Sequence, residues 1–529
     1  MIYFLTDWQS KLGNLETDVM FNVSKIFDVG KLETKTINMQ LSPFLGYFVN
    51  RFEMYSNDRI VHLLDTVTES FASSYAPLTM NDLQLPINYE KTYTRTSVLL
   101  SKNGVIKGEV YFNQFGFVSQ VHYHTKEGNE VQIYSDKGYI LCKQLRDHSD
   151  NKLEEQVFDE GGQLIFTERE DQLFIGSAYK KHFKHSTYDT FKEVCMELLN
   201  VTLIDFNPVH DCLVIDGTSS WLMDIVEGFM YPETMMYVFS GDIKECTAQI
   251  DKHINVFEKS KRIITDNALF QKWIEENDNY RSIKNKLDFM PLFPTYFSLG
   301  ESNTYADQYI YWQITRFDSQ EKVTLLDFLY MKLSLRDLCL VIDSQQSEDA
   351  IEIQKTLNAF IEQNFNVSLT SSEYELVKQY YEALENEEMT SSLRDLFSAA
   401  KQEKTKFNRV IEAYLFYRGV TFRENSSVQV LKEDLKKTRV FIDQRLEDNF
   451  FSHSLAVSAG IPIISKRPSP YLVENKNGII FQNGEQLIRV IENYLTDTDK
   501  WNQNLVESVD IIQNYSAYGL LSRWEECLR

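Results

Sequence analysis

A chain of 529 residues, 43% hydrophobic and 13% aromatic, has the length for more than one domain and the apolar content for large packed cores. Its 54 basic and 77 acidic residues leave a formal charge of −23 with no basic block, which argues against nucleic acid or an anionic lipid surface as a partner held by charge. Six cysteines, at positions 142, 195, 212, 246, 339 and 527, show no Cys-x-x-Cys spacing, so neither a disulfide framework nor a zinc site is expected.

Residues 1–8 carry no basic stretch and reach Asp7 before an apolar signal region could form. No apolar run approaches the ~20 residues that span a bilayer, so a cytoplasmic chain without a transmembrane segment is expected. Ile2-Tyr-Phe-Leu5 suits a buried strand, and no glycine-rich phosphate loop follows it. Amphipathic helices are predicted over 44–52 and 60–71, with Ser42-Pro43 marking a turn or helix start. From 89 to 175 short alternating runs are punctuated by Asn103-Gly104, Gln114-Phe-Gly116, Glu127-Gly128-Asn129, Lys137-Gly138 and Gly161-Gly162, the pattern of an antiparallel meander. His122 and His124 share a strand face there, but no third ligand stands at useful spacing, and both read as exposed strand residues.

The strand–helix rhythm returns between 188 and 273. Strands are predicted at 212–216, 235–239 and 262–266, and Ser219 or Ser220 caps a helix over 221–230. In a doubly wound sheet this places Asp216, Gly217, Ser240, Gly241 and Asp266 at the rim, where turn and cap roles are the expected ones. A second series begins near 291, with strands at 308–315 and 337–342, helices at 323–333 and 351–365, and a heavily charged, solvated helical segment over 376–402. Thr438-Arg-Val-Phe-Ile-Asp443, a short amphipathic segment, Gly460 and Ile461-Pro-Ile-Ile464 spell a strand–helix–strand unit of a parallel sheet, with Gly460 as left-handed cap. Helices over 486–495 and 497–515 follow.

This unit resembles the nucleotide-sugar half of GT-B glycosyltransferases, in which a Glu-x7-Glu motif straddles the helix and the second Glu stands five residues before the glycine. Here Glu447 takes the first position and Leu455 the second. In active relatives that second carboxylate holds the donor ribose, and an isobutyl group accepts no hydrogen bond, so donor binding should be poor. Unpaired ribose hydroxyls would cost ~1–3 kcal/mol each. Thr315-Arg316 and Lys322 stand where active relatives carry a Gly-Arg…Lys pair for the diphosphate, with threonine replacing glycine and a spacing one residue long. Tyr311, Trp312, Arg316, Lys322, Glu447 and His453 are the candidate cleft-lining residues, Gly460 is structural, and no catalytic residue, metal or cofactor is expected.

Over nearly the whole chain the sequence is similar to the accessory Sec system protein family of Gram-positive cocci, the first of the three accessory secretory "Asp" proteins. Tyr3-Phe4, Ser42-Pro-Phe-Leu-Gly-Tyr-Phe-Val-Asn-Arg51, Ser298-Leu-Gly300-Glu-Ser302, Ile310-Tyr-Trp312, Ser458-Ala-Gly-Ile-Pro462, Lys476-Asn-Gly478 and Trp501-Asn-Gln-Asn carry the resemblance. It implies an α/β, GT-B-like chain of two Rossmann-type doubly wound domains facing a cleft, with an antiparallel all-β domain inserted in the first. The expected limits are 1–88 and 181–288 for the first domain, 89–180 for the insert, 289–515 for the second domain, and 516–529 for a C-terminal helix packing back on the first. The implied role is non-enzymatic: assembly with the two sibling accessory proteins, and service with the accessory Sec ATPase in exporting glycosylated serine-rich adhesins from the cytoplasm or the cytoplasmic face of the membrane. The degenerate transferase cleft is expected to bind sugars on the cargo instead of a sugar nucleotide. Two alternatives stay open: an active glycosyltransferase using Arg316, Lys322 and Glu447 with an unconventional ribose clamp, and a purely structural subunit with an empty cleft.

Overall fold

The computed structural model describes residues 1–8, 12–51, 60–68, 76–85, 88–126, 128–401, 406–446 and 449–529. Its frame is a pair of parallel sheets and one antiparallel sheet. In the first, seven strands run in the spatial order Leu287–Phe289, Arg262–Thr265, Met235–Phe239, Cys212–Asp216, Ile2–Thr6, Thr34–Asn38 and Ile60–His62. The alternation of side chains along each strand explains the unbroken apolar runs, because both faces are covered. Tyr3, Leu5, Leu213, Ile215 and Tyr237 enter one core, whereas Ile2, Phe4, Val214, Met236 and Val238 enter another on the opposite side. That second core is closed by the helices Val19–Val29 and Ala517–Leu528, with the buried Trp524 ring 5.2 Å from Phe27.

Ile60–His62 corrects the helix expected over 60–71. It is an edge strand pairing in parallel with Thr36–Asn38, followed by a 3-10 turn at Leu63–Thr66, and residues 69–71 lie outside the described ones. The sheet offers the Ile-Val pair backbone partners that a helical period cannot reveal. The neighbouring expected helix forms as Leu45–Arg51.

Ten antiparallel strands follow as a simple meander from Glu90–Tyr93 to Thr187–Tyr188. Asn103 and Gly104, at φ +53° and +73°, make the tight reversal between the second and third strands in the left-handed region that these residue types tolerate. The last strands do not form a separate body, since Val157, Phe166, Leu173 and Ile175 share the core that holds Leu5 and Ile215. His122 is half-buried against the Tyr111 ring at 4.7 Å and bonds Gln120, while the exposed His124 bonds Asn129.

A further tie is Asp136, whose carboxylate accepts the Tyr47 N–H at 2.8 Å and whose own N–H donates to the Pro43 carbonyl at 2.7 Å. Burial pushes this carboxyl up to about 6. A raised carboxyl favours folding most fully below its unfolded value of ~3.9, and the benefit is lost as pH rises through about 6. Asp136→Asn should therefore flatten the dependence of melting temperature on pH between about 4 and 6; an unchanged slope would refute this assignment.

The second sheet has six parallel strands in the order Val420–Glu424, Leu338–Ser344, Gln308–Ile314, Thr438–Asp443, Ile463–Ser465 and Gly478–Ile480. The edge strand Val420–Glu424 and the helix Val428–Lys437 behind it escaped the sequence reading, although Ser427, which accepts the Val430 N–H, is an ordinary N-cap signal. The charged segment over 376–402 is broken at residues 386–390, giving the helices Ser372–Glu385 and Ser391–Lys401, which pack with Lys406–Arg418. Their own core contains Tyr374, Val377, Phe397, Phe407 and Tyr414, so the charges mark only the outer face. All six cysteines are free, and among the described residues no helix is long and apolar enough to cross a membrane.

Candidate functional site

In the second sheet the strand order reverses between Gln308–Ile314 and Thr438–Asp443, and the crevice beyond their carboxyl ends is where open parallel sheets take ligands. A polar knot fills the base of this crevice. Asp443, 1% exposed, accepts Arg445 Nε and backbone N at 2.9 Å on Oδ1, and Arg445 Nη2 at 2.9 Å and His453 Nε2 at 2.8 Å on Oδ2. Because a carboxylate only accepts, His453 carries its proton on Nε2, and burial holds the ring below its usual pKa and so neutral. Burial opposes ionisation of Asp443, but the adjacent Arg445 charge and the His453 bond hold the carboxyl well below the usual range. Arg445 also reaches the Asn449 carbonyl and Ser452 Oγ.

This knot decides which expected residues can meet a ligand. His453, Tyr311 and Trp312 are each 0% exposed and do not line the cleft. Tyr311 points into one core and donates to Asp343 at 2.7 Å; Trp312, its strand neighbour, points into the opposite core and donates from Nε1 to Gln444 at 2.7 Å. Period-2 alternation puts one of such a pair on each face, and here both faces are covered. Arg316 is exposed on the loop after the strand, and Lys322 pairs with Glu352 at 3.1 Å. Glu447 lies outside the described residues.

The helix Ser319–Ser334 starts at this crevice, but its amino terminus carries Asp318, which accepts the Gln320 N–H at 2.7 Å, and the buried Glu321. Burial, and then the Asp318 carboxyl, raise the Glu321 carboxyl, while Asp318 is lowered. The pair still places negative charge where a diphosphate would otherwise find the helix dipole. Across the crevice, Asn449 Oδ1 takes the Phe451 N–H at the start of the helix Phe451–Ser458, and its Nδ2 donates to the Thr17 carbonyl of the first half at 3.2 Å.

The helix Phe451–Ser458 ends as the sequence predicts. Gly460 has φ +72°, its N–H bonds the Val457 carbonyl at 2.8 Å, and Ile461 N–H bonds the Ala456 carbonyl at 3.0 Å, the paired bonds of a Schellman motif. The segment joining the two halves docks here: Tyr296 N–H donates to Ser458 Oγ at 3.1 Å, Ser298 N–H to the Ser458 carbonyl at 3.2 Å, and Gly300 N–H to the Ala459 carbonyl at 2.9 Å. Ser298-Leu-Gly300 and Ser458-Ala-Gly460, far apart in sequence, are thus one contact.

Beside this contact lies a cavity of about 400 Å³ floored by Leu455 and walled by Tyr296, Gln429, Lys432, Glu433 and, from the first half, Glu16. Sequence reasoning missed these wall residues; the one available hint was that Tyr296 immediately precedes the Ser298-Leu-Gly300 stretch. At the rim of the first sheet Asp216 is buried and accepts from Thr218 N and Oγ1 at 3.0 and 2.6 Å, a turn role as expected. Among the described residues no group of His, Cys, Asp and Glu could hold a metal ion.

Two parallel sheets, each helix-covered on both faces and each with its own reversal of strand order, joined by a docked connector and carrying a meander inserted in the first, define a GT-B glycosyltransferase-like protein. The fold is similar to that of the pneumococcal O-GlcNAc transferase GtfA in complex with UDP and GlcNAc (TM-score 0.62, 12% identity, covering 100% of this chain and 98% of that one). It is more similar to a chain in the crystal structure of accessory secretory proteins 1, 2 and 3 of Streptococcus pneumoniae (TM-score 0.75, 18% identity, 100% and 99% covered). The family of accessory Sec system proteins that comprises the first "Asp" protein matches residues 4–529, and the chain belongs to that family. A curated relative, the first "Asp" accessory Sec system protein of Streptococcus gordonii, is 21% identical over 540 residues, covering 99% of this chain and 95% of the relative.

Proposed function

We propose that this chain is a non-catalytic subunit of the accessory Sec export system that acts in the cytoplasm or at its membrane face, assembling with the two sibling accessory proteins and serving the accessory Sec ATPase in export of glycosylated serine-rich adhesins. Its cleft engages sugars already attached to the cargo instead of a sugar nucleotide. The observation that carries this reading is Leu455, a side chain without an acceptor where active relatives hold the donor ribose, lining a cavity and not displaced from it. Asp318 and Glu321 at the facing helix start add a like-charge obstacle to a diphosphate. The cavity itself favours this reading over a subunit with an empty cleft.

The expected result is that purified protein neither hydrolyses nor transfers from UDP-glucose or UDP-N-acetylglucosamine. Turnover above that of a Glu447→Ala control would overturn the non-catalytic reading. The complex of accessory secretory proteins in the pneumococcal relative supports the assembly. Co-expression with the siblings should give a stable complex burying more than about 1,000 Å². Recovery of this chain alone, while the siblings pair without it, would count against that role.

A further inference from the structure

We infer that the cavity floored by Leu455 is a seat for a single neutral sugar ring, closed by groups from both α/β halves. The inference rests on the cargo-glycan reading above and gives it an address built on Leu455 and apart from the six candidate cleft-lining residues named from the sequence. About 400 Å³ at the junction of two domains lies in the range of small-ligand pockets. The chemistry of the walls selects the ligand. Leu455 presents an apolar floor and Tyr296, 41% exposed, an aromatic face, the surfaces that the C–H face of a pyranose covers. Around them stand Gln429, which both donates and accepts, Lys432, which donates, and Glu433 and Glu16, which accept, matching the mixed hydroxyl edge of a sugar. A phosphate or nucleotide would instead meet two carboxylates, and the two lysines of the lining, Lys432 and Lys436, only balance these charges, so no net positive charge draws an anion.

The walls are already in place before any ligand arrives. The Tyr296 backbone is fixed by its N–H bond to Ser458 Oγ at 3.1 Å, and its connector is pinned by the Ser298 and Gly300 bonds to the end of the Leu455 helix. Preorganisation of this kind lowers the ordering cost of binding. The Tyr296 phenol is raised first by burial and then by the Glu16 carboxylate, so these groups from the two halves sense one another across the cavity. The substitution that removes a ribose clamp therefore leaves a floor suited to a different ring.

Saturation-transfer NMR on the full chain, with free N-acetylglucosamine and UDP as separate probes, tests the assignment. N-acetylglucosamine should receive saturation from the wild-type protein, UDP should not, and Tyr296→Ala should weaken sugar binding by about tenfold or more. Gln429→Ala, at an exposed helix position, guards against a folding artefact and should weaken it in the same direction. Sugar binding unchanged in both variants, or UDP competing with the sugar, would overturn the inference. A glycosylated serine-rich peptide added as a third probe separates the two levels. If wild type and both variants retain it equally, the cavity assignment fails and the cargo reading stands; if wild type does not retain it and binds no sugar, both fail.

Discussion

Asp443→Ala is expected to lower the unfolding free energy by about 3–5 kcal/mol at neutral pH, because it strands Arg445 without its carboxylate in a site where only 11% of the arginine side chain is exposed. His453, 0% exposed, would lose its acceptor in the same step. The variant should also loosen Asn449, whose carbonyl Arg445 holds. The effect should depend on pH in a defined sense. Asp443 has a folded pKa below the ordinary carboxylate value of ~3.9, so its stabilisation is fully present above that value and is lost as pH falls through the lower folded value. His453 is depressed as well, so its protonation in the unfolded chain begins to cost stability below ~6.5. Denaturant midpoints for wild type and variant should differ fully at neutrality and begin to converge only below about pH 4. A difference of under about 1 kcal/mol at pH 7 would mean that water replaces the carboxylate and that the knot is not buried as described.

Gly460→Val is the other large expected effect, a loss of about 2–4 kcal/mol. The left-handed φ of +72° is strained for any β-branched residue. An added Cβ would also fall inside the van der Waals boundary of Leu505 Cδ1 and 3.3 Å from Leu299 Cδ2, so the connector and the helix Thr498–Asn514 would both be pushed away. Since Leu299 belongs to the stretch that walls the cavity, sugar binding should weaken with stability, and any export defect should follow the amount of folded protein. A variant with unchanged melting temperature would show that the glycine is not the cap of this helix.

Periodic and local features were legible in the sequence. Unbroken apolar runs such as Ile2-Tyr-Phe-Leu5 imply strands buried on both faces, Asn103-Gly104 implies a tight hairpin, and Gly460 between an amphipathic segment and Ile461 implies a left-handed cap; each follows from backbone sterics or side-chain alternation within a few residues. The replacement of a carboxylate by Leu455 was likewise readable, since it needs only the spacing to Gly460. Tertiary structure alone decided burial and company. Tyr311 and Trp312 looked like a sugar platform until both faces of their strand proved covered, and His453 until Asp443 and Arg445 closed around it. Ile60–His62 became a strand because a sheet edge was available, and Glu16 reached Tyr296 because the connector docks the two halves together. The physical reason is the same in each case: a side-chain period states that a face is apolar or polar, whereas the group that covers that face is set by how the elements pack and leaves no mark in that period.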